Sequence, residues 1–123
     1  MHVPDGFINA GTSVGAGALA LGTMAVAVRR TRDELSERMV PLAALTAAFI
    51  FAVQMLNFPV ASGTSGHLLG GVLAAVLVGP WAGAICVTVV LVVQALLFAD
   101  GGLSALGLNI VNLGLVGTLG GYA

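Results

Sequence analysis

The chain is 123 residues long, 59 % hydrophobic and 7 % charged, with a mean hydropathy of +1.09 and a net charge of −1. An average soluble protein is about 25 % charged, so this sequence cannot clothe a soluble surface. With no lysine and no excess of positive charge, it has no electrostatic footprint for nucleic acid. The class that remains is an integral membrane protein, expected as an all-α, polytopic helical bundle in one domain, 1–123. The first nine residues open on "MHVPDGF" and hold no Lys or Arg, so they lack the basic region of a signal peptide. Apolar runs follow at 10–28, 40–56, 68–78 and 81–97, and a fifth begins at Leu103 and reaches the last residue. These predict about five membrane segments. A spanning helix needs about 20 apolar residues, so the second and fourth runs are marginal and the third is too short.

Charge gives the orientation. Seven of the nine charged residues, including Arg29, Arg30, Arg32 and Arg38, lie between positions 29 and 38. Positive loops stay cytoplasmic. The 29–39 segment is therefore read as a cytoplasmic loop of a multi-pass plasma-membrane protein with its N-terminus outside. Counting helices then puts His2, His67 and Asp100 on the same, outer side. The third run would rise only about 16 Å into a hydrocarbon core of about 30 Å, which leaves His67 at mid-membrane depth. The preceding stretch, "NFPVASGTSGH" at 57–67, is expected to be a re-entrant loop. Such backbone is tolerated only against protein or a polar cavity.

The chemistry concentrates at 1–9, an N-terminal metal-binding segment. Met1 offers an amine, and His2 is too large for the initiator to be removed. His2 offers its backbone nitrogen and an imidazole nitrogen. These three atoms close small fused rings around one ion, and His67, the only other histidine, can supply a fourth donor. All-nitrogen planar coordination suits Ni(II) and Cu(II), and imidazole and amine also hold Co(II). Gln54, Asn57, Gln94, Asn109 and Asn112 sit in or beside apolar runs, where hydrogen bonds between helices are worth about 0.6–2 kcal/mol. Gln54 and Asn57, three apart, could share a helix face. Asn109 and Asn112 are candidates to orient a metal ligand. Asp100, in "FADGG", reads as a turn residue, and Cys86 as a packing residue. The pairs Gly11/Gly15, Gly66/Gly70, Gly79/Gly83 and Gly117/Gly121 have the spacing of close helix crossings. No phosphate-binding loop, HExxH or serine–histidine pair is present, so the chain is not expected to be an enzyme or to hydrolyse ATP. Two alternatives are an intramembrane metalloenzyme and a structural membrane subunit without a ligand. The metalloenzyme would need an acidic base near the metal, and Asp5 and Asp100 are the acids on the outer side.

"MHVPDGF", "FPVASGTSGHLLGG" at 58–71, "LVGPW" at 77–81 and "VQALLFADGGLSALGLNIVN" at 93–112 together resemble the CbiM/NikM family. These are the substrate-binding membrane subunits of energy-coupling-factor transporters for cobalt and nickel. The resemblance covers essentially the whole chain. It implies a metal-capture subunit of an ABC-type importer of Co²⁺ or Ni²⁺, serving cobalamin synthesis or nickel enzymes. Met1, His2 and His67 would hold the ion. The implied partners are a membrane coupling subunit, two cytoplasmic ATPases and a small auxiliary membrane subunit. Family members continue through further helices beyond this point, so the chain reads as a C-terminally truncated member.

Overall fold

The computed structural model describes residues 2–62 and 64–123. An N-terminal segment without regular structure leads into α1 (Ala10–Glu34), followed by α2 (Met39–Gln54), β1 (Phe58–Ala61), β2 (Thr64–Gly66), α3 (Gly71–Val78), α4 (Pro80–Leu97) and α5 (Leu106–Asn109). The last runs on without a break as a π-helix (Ile110–Gly120). The fold is mostly helical, as composition implied.

Among the described residues two helices, α1 and α4, are long and apolar enough to cross a membrane, and α2 and the 15-residue helix Leu106–Gly120 are shorter. The five predicted segments thus reduce to two full-length candidates. Sixteen residues in α2 rise about 24 Å at 1.5 Å each, short of a hydrocarbon core of about 30 Å. The third run differs more. Its helix starts only at Gly71, because Gly70 takes a left-handed φ of 81° that residues with a side chain avoid. Within the stretch read as a re-entrant loop, β1 pairs antiparallel with β2, Phe58 opposite Gly66, with a register shift between Pro59 and Ala61.

The 29–39 loop is also shorter than expected. α1 begins at Asn9, whose side chain accepts from Thr12 N at 2.8 Å, a standard N-cap. It then continues through Arg29, Arg30 and Arg32 to Glu34, so the charged cluster rides mainly on its last turns. Cations are favoured at that end of the helix dipole.

α4 lies at the centre. Ala20 of α1, Ile50 of α2, Ala74 of α3 and Ile110 of the π-helix close around its Val87, Val90 and Leu91. Cys86 is buried beside Val78 and Ala82, its Sγ 3.4 Å from Ala43 O, so the packing role holds. Outside this core the helices present apolar side chains: Val14 is 72 % exposed and Leu21 76 %. Burying apolar area is worth about 25 cal/mol per Å², so faces of this kind favour lipid over water.

Only some of the glycine pairs mark helix crossings. A Cβ on Gly71 would lie 2.6 Å from Gly117 C, one on Gly83 2.8 Å from Ala75 N, and one on Gly107 2.5 Å from Gly17 Cα. Around Gly11 the nearest atom is Asn9 Oδ1 at 3.5 Å, and Gly15 has nothing within 4 Å, so that pair brings no helices together. Gly107→Ala is expected to push α1 from α5 and cost about 2–4 kcal/mol by overpacking against backbone. Gly15→Ala, at an open helical site, should gain about 0.5–1 kcal/mol. Thermal melts of the two variants in detergent check both signs.

Candidate metal centre

The N-terminal segment buries none of its residues 2–9 fully, with Phe7 75 % exposed, and is held by polar contacts. Asn109 is the main clamp. Its Oδ1 accepts from Val3 N at 2.8 Å, and its Nδ2 donates to Val3 O at 3.1 Å. One amide side chain thus pairs with both main-chain groups of Val3, as a neighbouring β-strand would. Gly102 N also donates to Val3 O, at 3.0 Å. Two residues on, Asp5 Oδ1 accepts from Ser104 N at 2.8 Å and from the Ser104 hydroxyl. The Ser104 hydroxyl and amide hold the exposed Asp5 carboxyl below its ordinary pKa.

The surface beneath is glycine by necessity. Gly101 has φ 94°, and a Cβ there would sit 3.0 Å from His2 Cβ. A Cβ on Gly102 would lie 2.6 Å from Asp5 Oδ1 and 2.7 Å from Pro4 C. The "DGG" turn therefore both ends α4 and forms the bed for residues 2–5. Asp100 is a turn residue, as expected, its N donating to Gln94 O at 3.0 Å. Its carboxylate also reaches the site, with Oδ2 3.8 Å from His2 Nε2.

So seated, His2 meets His67. The ring centroids are 5.2 Å apart, and the planes cross at 77°. His67 is 8 % exposed. Each ring has one satisfied nitrogen: His2 Nε2 is 2.6 Å from Gln94 Oε1, and His67 Nδ1 is 2.8 Å from Leu68 O. The other two, His2 Nδ1 and His67 Nε2, are buried with no hydrogen-bond partner among the described residues. Buried polar atoms are normally paired, so two orphans of this kind, one on each of two adjoining rings, need an explanation. Burial lowers the His2 pKa, outweighing the hydrogen bond to Gln94 and the charge of Asp100, which raise it. In its neutral form the ring holds a lone pair that can bind a cation.

Among the described residues no group of three or more His, Cys, Asp or Glu side chains converges as a metal site would. Two imidazoles alone are a weak holder for a divalent ion, so a centre here needs further donors. Met1 lies outside the described residues. Of the two asparagines, Asn109 is buried and meets the N-terminal segment, whereas Asn112 is exposed. Asn57 lies beyond the end of α2 and is exposed, so it shares no helix face with Gln54. What the sequence reading missed is the reach of Gln94. It bonds Gln54 across α2 and α4, as an interhelical pair should, and also bonds His2. The available signal was two glutamines each near the C-terminal end of an apolar run.

Residues 2–123 match the family described as CbiM, cobalt uptake substrate-specific transmembrane region. A putative metal transport protein of Haloquadratum walsbyi is 46 % identical over 99 % of this chain and 56 % of its own length. A putative fused nickel transport protein, NikMN, of Archaeoglobus fulgidus is 42 % identical over 99 % of this chain and 40 % of its own. A crystal structure of a transition metal transporter superposes with a TM-score of 0.90 at 38 % identity, covering 99 % of this chain and 54 % of that one. The chain spans about half the length of the relatives it matches. Fold and sequence agree, and the chain belongs to the CbiM family.

Proposed function

We propose that this chain is the metal-capturing part of a Co²⁺ or Ni²⁺ importer of the energy-coupling-factor class, in which the Met1 amine, the His2 backbone and imidazole nitrogens and the His67 imidazole hold the ion. The observation that carries this reading is the pair of unpartnered, buried imidazole nitrogens on rings 5.2 Å apart, contributed by residues 65 positions apart in sequence. A four-nitrogen set suits Ni(II) and also accepts Co(II). The matching family is described by cobalt uptake and one relative by nickel transport, which supports the same two metals. Asn109 acts by fixing Val3, and through it the backbone of His2.

The site would face the outside, with the arginine-bearing end of α1 in the cytoplasm. The stretch at 57–67 would dip toward the bilayer midplane, so that His67 waits at depth. Energy would come from partners: a membrane coupling subunit and two cytoplasmic ATPases, with a small auxiliary membrane subunit. A metalloenzyme would need an acid poised at the metal. Asp100 is the acid beside His2, but its Oδ2 faces Nε2, the ring nitrogen turned away from the unpartnered Nδ1. The geometry therefore favours capture over catalysis.

Adding one residue before Met1 tests the chelate. The amine is displaced and the fused rings are spoiled, so Ni²⁺ affinity by titration calorimetry in detergent is expected to fall tenfold or more, about one factor of ten per 1.4 kcal/mol lost. Unchanged affinity would remove the amine from the site.

A further inference from the structure

A chain of side-chain amides runs behind the two histidines, and its direction is forced. Leu69 O is a carbonyl and only accepts. Gln54 Nε2 donates to it at 2.5 Å, which turns Gln54 Oε1 toward α4. There it accepts from Gln94 Nε2 at 3.1 Å. Gln94 has then committed its nitrogen, which also lies 4.0 Å from Met55 Sδ, and presents Oε1 to His2 at 2.6 Å. Both glutamines are fully buried, so neither can reverse its amide without stranding a donor and an acceptor, at about 1–3 kcal/mol each.

The consequence falls on His2. A ring nitrogen facing an acceptor must carry the hydrogen, and a neutral imidazole carries one only. Nε2 is therefore protonated and Nδ1 holds the lone pair. Nδ1 is also the unpartnered atom, and the one close enough to its own backbone nitrogen to close a small chelate ring. We infer that Gln94 and Gln54 are positioning residues for the metal site: an amide relay anchored on the Leu69 carbonyl sets which nitrogen of His2 faces the cation. The same relay grips the main chain two residues beyond His67, so both histidines are registered to one pair of side chains. The value of this for cargo binding rests on His2 being a ligand, as proposed above. The tautomer itself is a property of the metal-free protein.

The chain has two histidines, so histidine-selective ¹⁵N labelling gives two imidazoles, told apart by His67→Ala. In the metal-free protein, His2 Nε2 should show a pyrrole-type shift with a bonded proton and Nδ1 a pyridine-type shift. Gln54→Leu is the decisive variant. It leaves Gln94 in place but removes the acceptor that fixes its direction, so His2 should become a mixture of tautomers and Ni²⁺ affinity should fall about tenfold. Gln54→Glu, neutral when buried, can still accept from Gln94 and donate to Leu69 O, and should restore both readouts. That rescue separates loss of the relay from loss of the fold. A pyridine-type Nε2 in the native chain, or a Gln54→Leu protein with native shifts and native affinity, overturns the inference. If instead His2→Ala binds Ni²⁺ like the native chain, the metal reading falls while the shifts still report on the relay.

Discussion

Replacing His67 by alanine is expected to weaken Ni²⁺ or Co²⁺ binding by about a hundredfold or more while leaving the helices folded. A four-donor structural metal site is worth roughly 10–16 kcal/mol, about 2.5–4 kcal/mol for each donor, and every 1.4 kcal/mol is a factor of ten. The structural cost is small by comparison. Among the described residues His67 bonds the carbonyl of its neighbour Leu68, and the segment around it is held independently by Gln54 on Leu69 O. His2→Ala should lose as much affinity or more, because it removes the ring from the chelate and strands Gln94 Oε1, at about 1–3 kcal/mol. Titration calorimetry with each metal, paired with circular dichroism, checks both. Native affinity in His67→Ala with intact helices would show that the two rings meet without sharing an ion. Loss of helix content would show that the packing of His67 is its main role.

The sequence exposed the two ends of this site more readily than its middle. His2 and His67 stood out because a membrane chain carries few ionisable groups and charge placed both on one side. Their meeting at 5.2 Å could not be read from either. It depends on Asn109 pairing with the main chain of Val3, 106 positions away, and no periodicity records such a bond. Helix limits failed for local reasons. Leu68 and Leu69 look like the start of a helix, but the left-handed Gly70 delays it to Gly71. Arg29 to Glu34 look like loop by charge, yet the three arginines and Glu34 are good helix formers at the end of a continuous helix. The glycines were legible as a class and not one by one. Spacing flagged Gly83 and Gly117, which do sit at crossings, but missed Gly71 and Gly107, because a crossing needs a partner on another helix rather than a second glycine one turn away.

The same logic yields the largest effect expected from a change that touches no ligand. In Gly102→Ala the new methyl would meet Asp5 N, Asp5 Oδ1 at 2.6 Å and Pro4 C at 2.7 Å. Two of these three atoms are main chain, so no rotamer change relieves the clash. Either the 101–104 turn or residues 2–5 must move. The turn is fixed behind by Asp100 N on Gln94 O and by Ala105 N on Gly102 O, whereas residues 2–5 carry no regular structure and are held by the polar contacts of His2, Val3 and Asp5. The N-terminal segment therefore lifts, and the bond from Gly102 N to Val3 O at 3.0 Å goes with it. His2 then leaves Gln94 and His67 while the helical core, centred on Val87 and Leu91, is untouched. Affinity for Ni²⁺ should drop between tenfold and about a hundredfold, the range seen when support around a ligand is lost, with no change in melting temperature beyond a few degrees. Gly22→Ala, at a glycine with nothing within 4 Å, is the matched control and should bind normally. A Gly102→Ala protein that binds as tightly as this control would mean that residues 2–5 do not rest on the "DGG" turn when the ion is held.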